Sequence, residues 1–396
     1  MSEQSAPQPA LFAGLPGAVL VPDGPDAGAV WHYGNPLGEQ RALQAGRAVV
    51  ELAGRAVLTV TGPDRLSWLN SITSQELLRL GEGESSETLV LDPSGRIEHA
   101  VRLAEDGERL WLLVDRGEAA GLLDFLNRMR FMLRVEVADV TDAYTVVGST
   151  VPLFAVASPR VPAEEAPGGI QAPPSPPHRT VVWHDPWSHV APGGHQYAAE
   201  DHDYSAWSWY ETIVPRDFAA GLAQRAASGL VAVAGIAASE ALRIAARRPR
   251  FATEVDERSI PHELDWLRSA VHLSKGCYRG QETIAKVHNL GHPPRRLVLL
   301  HLDGSDAVLA EARAEVVAGD TVVGHVTSSA LHHELGPIAL AVVKRGVDPD
   351  AQLVVRAGDT GIAAAQETIV PPSAGASAGV PRLPRLGAVK RERRSE

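Results

Sequence analysis

The spacing of apolar and polar positions divides the chain into segments of different period. Residues 47–60, RAVVELAGRAVLTV, hold two β-favouring runs separated by Ala53 and Gly54, which predicts a hairpin. Leu66, Leu69 and Ile72 then recur at helical spacing, with Asp64 placed as N-cap. ETLVLDPSGRIEHAVRL reads as strand, turn, strand, with Pro93 second in a tight turn and Ile97, Val101 and Leu103 on one face. RLWLLV adds a strand. Ala119, Leu122, Leu123, Leu126 and Met129 then form the stripe of an amphipathic helix, most simply core. A second round of strand and helix starts at WSWYETIVP, with helices predicted near 215–227 and 238–246. After Pro294 the texture changes to short, glycine-punctuated strands, RRLVLLHL, DTVVGHVTS, GPIALAVV and QLVVRAG, as in a small antiparallel barrel or sandwich.

Three stretches lack any period. Residues 1–40, rich in Gly, Pro and Ala, read as a flexible leader, with order expected from Arg41. Residues 152–204 carry Pro173, Pro174, Pro176 and Pro177 behind Gly168 and Gly169, and read as an insertion instead of a fold nucleus. Residues 371–396 end in VKRERRSE and read as a disordered basic tail. Between them stand two α/β regions, 41–151 and 205–291, and a β region, 292–370. The class is α+β.

Composition narrows the functions. A net charge of -11 opposes a phosphate backbone, so no nucleic-acid partner is expected. The single cysteine, Cys277, leaves no disulfide framework, CxxC pair or four-cysteine cluster site, and fits a reducing, cytoplasmic setting. The early apolar stretch LFAGLPGAVLV is broken by Gly14, Pro16 and Gly17; it fits neither a signal peptide nor a membrane span.

Cys277 sits in KGCYRGQE, between Lys275 and Arg279. Nearby positive charge favours thiolate, which makes Cys277 a candidate nucleophile; the alternative is an ordinary loop thiol. Gly276 and Gly280 permit backbone paths closed to other residues. Two histidine groups, His184, His189, His195 and His202 with Asp185, and His332 and His333 with Glu334, match no metal-site spacing and read as solvated loop residues. Trp207, Trp209 and Tyr210 are either a stacking platform or buried aromatics.

KGCYRGQE, preceded by SIPHEL and EALRIAARRPRF, resembles the signature of the YgfZ-type tetrahydrofolate-binding proteins, relatives of the glycine-cleavage T-protein, an aminomethyltransferase. VTGPDRLSWLNSITSQEL extends the resemblance, which covers about residues 41–370. It implies a three-part aminomethyltransferase-like (GcvT-like) fold around a central channel, closed by a C-terminal antiparallel β-barrel, with 41–151 as a folate-binding region. WYETIVP aligns with the strand whose glutamate holds the pterin ring, which places Glu211 there beside Trp209. A carboxylate suits that task, because it accepts two hydrogen bonds from an aminopyrimidine edge.

Two positions depart from the T-protein pattern. An arginine that assists the glutamate is replaced by Ser239, leaving Arg243 as the nearest cation. The hydrophobic-Asp-Asp run after the turn is replaced by Glu98, His99 and Ala100, so the acid of aminomethyl transfer is missing. His99 is a candidate acid or base, and Asp92 a second candidate at the pocket edge. The resemblance implies a folate-binding accessory protein in iron-sulfur cluster assembly or repair, partnered by assembly proteins or client enzymes, with tetrahydrofolate or a derivative as cofactor. Its working loop would comprise Lys275, Cys277 and Tyr278, with Gly276, Gly280, Gln281 and Glu282 lining the ligand. An active one-carbon transferase or demethylase and a non-catalytic docking scaffold are the alternatives.

Overall fold

The computed structural model describes residues 9–157, 180–198, 204–304, 309–358 and 360–379, so His202 and tail residues 380–396 lie outside it. Among the described residues, two five-stranded sheets, a small two-stranded sheet of Val19–Leu20 and Val30–His32, and a closed barrel make up the sheet architecture. In the first sheet, Ser85–Leu91, Ile97–Glu105, Arg109–Asp115, Arg55–Thr61 and Glu136–Asp139 lie side by side in that order, all antiparallel. The second orders Val181–His184, Tyr210–Pro215, Tyr144–Ser149, Ala48–Glu51 and Ala232–Val233, with only the last pair parallel. It therefore interleaves chain from both α/β regions. The barrel closes through Arg295–Leu302, Gly336–Lys344, Thr321–His332, Glu315–Ala318, Leu353–Ala357 and Thr360–Thr368. Closure leaves no exposed sheet edge there.

One buried cluster joins the parts: Leu89 and Ile97 of the first sheet, Ile244 of helix Ile236–Ala245, Trp266, and Leu297 and Ile338 of the barrel. The same helix packs on Thr321–His332 and on helix Pro36–Gln44. It forms the hub.

Several expectations are corrected. The predicted hairpin is absent: Ala48–Glu51 and Arg55–Thr61 lie in different sheets. Both strands are buried almost throughout, so each needs its own partners, and Gly54 lacks the positive φ that a primed two-residue turn requires. Order begins well before Arg41. Glu51 accepts the backbone N–H groups of Leu11 and Phe12, and Phe12 is fully buried; Glu39 accepts those of Tyr33 and Gly235. Carboxylates hold this stretch, which hydrophobic period cannot report. Within 152–204, Val181–His184 pairs with Tyr210–Pro215 and Trp187 is fully buried, so part of the supposed insertion belongs to the core. Asp64 occupies the cap position of helix Arg65–Ile72, but its side chain binds Arg134. On helix Ala119–Met129, Phe125 is buried where Met129 was expected, and Met129 is exposed.

Candidate functional site

Where the two sheets meet the hub helix, a cleft encloses about 390 Å³, open solvent at its mouth included. Arg55 and Arg102 line it from the first sheet; Trp183, Trp209 and Glu211 line it from the second. Ser239, Glu240, Arg243 and Arg248 close the remaining side. Glu211 is 1% exposed. Arg55 donates to both its oxygens, from Nε at 3.3 Å and Nη2 at 3.2 Å, and the Trp209 indole N–H lies 3.4 Å from Oε1. Burial works against the charge, but Arg102 and Arg55 outweigh it and hold the carboxyl below its usual range. The Trp207 and Trp209 rings run nearly parallel, 5.9 Å apart, and wall the cleft.

Sequence reasoning placed Glu211, Trp209 and Arg243 together, and the structure brings them together. Arg243 is not available to a ligand, however. It donates to Glu240, Glu254, Ser328 and the Arg248 carbonyl, bracing the helix against the barrel. The residues missed are Arg55, Arg102, Arg248 and Trp183; Asp185, expected as a solvated loop residue, is instead 2% exposed and held by Arg248. Arg248 lay within the quoted EALRIAARRPRF, and an arginine inside the apolar strand HAVRLAE was a usable signal for Arg102. Most of these arginines hold two carboxylates each: Arg55 holds Asp115 and Glu211, Arg248 holds Glu87 and Asp185, and Arg250 holds Asp26 and Asp115.

The KGCYRGQE loop lies elsewhere, against the turn at 92–95. Gly280 has φ +83, and a Cβ there would sit 2.6 Å from the Asp92 carbonyl oxygen. Gly280 is thus required by backbone path and by contact. Gly276 is not: its φ is ordinary and a Cβ there would meet nothing within 4 Å. Lys275 is buried and donates to the carbonyls of Asn70, Thr73 and Gln75 at 2.6, 2.9 and 2.6 Å. Burial pulls its ammonium down to about 8. Arg279 pairs with Glu98 at 2.7 Å. Both cations that flank the thiol are therefore spent on anchoring the loop. Cys277 is exposed, and Tyr278 is buried in the shared core with its hydroxyl unpartnered among the described residues. Gln281 ties back to the Lys275 carbonyl, and Glu282 faces solvent.

Asp92 is a turn former, its carboxylate accepting the Arg96 N–H at 2.8 Å. It does not line the cleft. His99 stacks on Phe251, 3.6 Å from Glu118. Burial pushes His99 down to about 4, and burial with Asp115 nearby pushes Glu118 up to about 9. At neutral pH the pair is uncharged, with the proton on the carboxyl. Among the described residues no group of three or more His, Cys, Asp or Glu is placed to hold a metal ion, and no helix is long and apolar enough to cross a membrane.

The fold is that of the aminomethyltransferases. The solved glycine-cleavage aminomethyltransferase T of Bartonella henselae superposes with a TM-score of 0.68 over 90% of this chain and 94% of that one, at 17% identity. Residues 295–370 match the family model of the glycine cleavage T-protein C-terminal barrel domain. Among curated proteins, the chain is 25% identical to an aminomethyltransferase of Corynebacterium jeikeium, over 79% of this chain and 82% of that protein. It is 26% identical to one of Streptomyces avermitilis, over 78% and 82%.

Proposed function

We propose that this protein binds tetrahydrofolate or a derivative in the tryptophan-walled cleft and serves as an accessory factor in iron-sulfur cluster assembly or repair. The cleft's donor set fits such a ligand. Glu211 is a buried carboxylate whose oxygens have about four lone-pair sites; Arg55 fills one on each oxygen and Trp209 a second on Oε1, which leaves one on Oε2 for an N–H of the ligand. Glu211 would take the aminopyrimidine edge, and the tryptophans would stack on the ring. Tetrahydrofolate supplies a nitrogen that accepts a one-carbon unit. The observation that carries the accessory role is the state of the T-protein acid position: Glu98 is turned to Arg279, and buried His99 is neutral. The exposed Cys277 offers a cluster one thiol, so any further ligands come from partners.

Two experiments test this reading. Calorimetric titration with tetrahydrofolate should show binding that Glu211→Ala removes; unchanged binding would sink the cleft assignment. Cys277→Ala should fail to complement a strain lacking such a factor while folding normally, and full complementation would refute the thiol's role.

One observation favours active one-carbon transfer instead. Glu118 carries a proton at neutral pH and lies 3.6 Å from His99, so the pair holds an acid near the position the motif vacated. Product formed from a methylamine donor and tetrahydrofolate, and lost in His99→Ala, would select that reading.

A further inference from the structure

The arginines around the cleft are unequally satisfied. Arg55, Arg243, Arg248 and Arg250 each donate hydrogen bonds to two carboxylates. Arg102 donates to none: it has only a contact from Nε to the Glu211 Oε1 at 3.6 Å, and that Nε finds no hydrogen-bond partner among the described residues. Its side chain is 14% exposed, and its guanidinium lies 5.2 Å from the Trp183 ring. Burial, reinforced by the nearby Arg55 charge, disfavours its cation. A second unsatisfied donor belongs to Arg248, whose Nη1 is buried without a hydrogen-bond partner among the described residues while its other nitrogens hold Asp185 and Glu87. Buried polar groups in folded proteins are nearly always bonded, so an orphan beside a cleft marks a place where a ligand completes the set.

We infer that Arg102 is the specificity residue of this cleft, and that the ligand is a planar heterocycle presenting an N–H donor to the remaining lone pair of Glu211 and, on the adjoining atom, an acceptor oxygen to Arg102. This rests on the folate reading and deepens it by naming the required edge. The 3.6 Å between the Glu211 oxygen and the Arg102 nitrogen suits two groups that bond neighbouring positions on one ring edge. Glu211 can only accept, and Arg102 can only donate. Together they read an amino-oxopyrimidine edge. A ring with an amino group in place of the oxygen would aim a donor at a donor, leaving both unpaired in a desolvated site.

The test uses matched ligands: folic acid against aminopterin, which carries an amino group where folic acid carries the ring oxygen, and tetrahydrofolate against tetrahydroaminopterin. Each is titrated calorimetrically into the full chain. The amino member also lacks the ring N–H beside that position, so Glu211 contributes to the preference as well; wild type should prefer the oxo member by roughly a hundredfold in Kd, the scale of two hydrogen bonds. Arg102→Gln should cut the preference to roughly tenfold, the share that belongs to Glu211. Arg102→Lys, which keeps the charge without the planar fork, serves as second variant and should give an intermediate preference. Arg102→Gln removes a charge that helps hold the buried Glu211 ionised, so its thermal midpoint should fall, and circular dichroism at the titration temperature checks that the variant is folded. Equal binding of the oxo and amino members by wild type, or a preference undiminished in both variants, overturns the inference and leaves the folate reading standing. No binding of any of the four ligands by folded wild type overturns both.

Discussion

The cleft and the KGCYRGQE loop both gather charged groups, but they use them in opposite ways. In the cleft, arginines and carboxylates from distant parts of the chain neutralise one another in a dry interior, and the group left unsatisfied is the informative one. In the loop, the charges beside the thiol satisfy backbone carbonyls and Glu98, and the thiol itself is exposed. The difference teaches that a cation adjacent to the thiol in sequence is free to bond elsewhere. A long side chain bonds whatever the fold puts within reach.

The comparison breaks hardest at Arg248. Arg248→Met strands Asp185 and Glu87 inside the protein and should cost about 3–5 kcal/mol, read as a lower denaturation midpoint. An effect below about 1 kcal/mol would show that the network is not buried as described. The two loop glycines sharpen the contrast within the loop. Gly280→Ala forces a left-handed backbone and a clash with Asp92, and should cost about 1–3 kcal/mol. Gly276→Ala should stay within about 0.5 kcal/mol by the same measurement. Equal effects would refute the loop's docking against the turn.

A pH slope tests the burial of Glu118. Glu118 is raised in the folded state above its ordinary value, so its contribution is fully present at low pH. It is lost as pH rises from the ordinary carboxyl range through about 9. Wild-type stability relative to Glu118→Gln should therefore fall across that window, by at most about 1.4 kcal/mol per pH unit. A flat difference would mean that the carboxyl is charged and partnered.

Much of this was legible in the chain. The barrel strands showed in alternation, the helix around Ala238 in its period, and Glu211 in its motif. Gly280 was rightly marked as a conformational need, whereas Gly276 was not one. The Ala53-Gly54 break was visible, but not that the two strands leave it for different sheets, because strand pairing is decided by partners far along the chain. The same limit hid residues 9–40. Their order comes from Glu39 and Glu51 capturing backbone N–H groups, an interaction with no periodic trace.

What the sequence alone determined is the set of local conformations and the identity of the chemically capable groups: strands from β-branched alternation, helices from apolar stripes, one thiol, one motif carboxylate. Tertiary structure decided which charges met. Arg102, Arg55 and Glu211 lie on strands from two sheets, and each arginine was equally able to pair elsewhere. Coulomb attraction and desolvation act over a few ångströms of space, so their outcome depends on packing that no spacing along the chain records. That is why KGCYRGQE, the most conspicuous stretch of the sequence, proved to be anchored by its own cations, while the unsatisfied arginine lay in an unremarked strand.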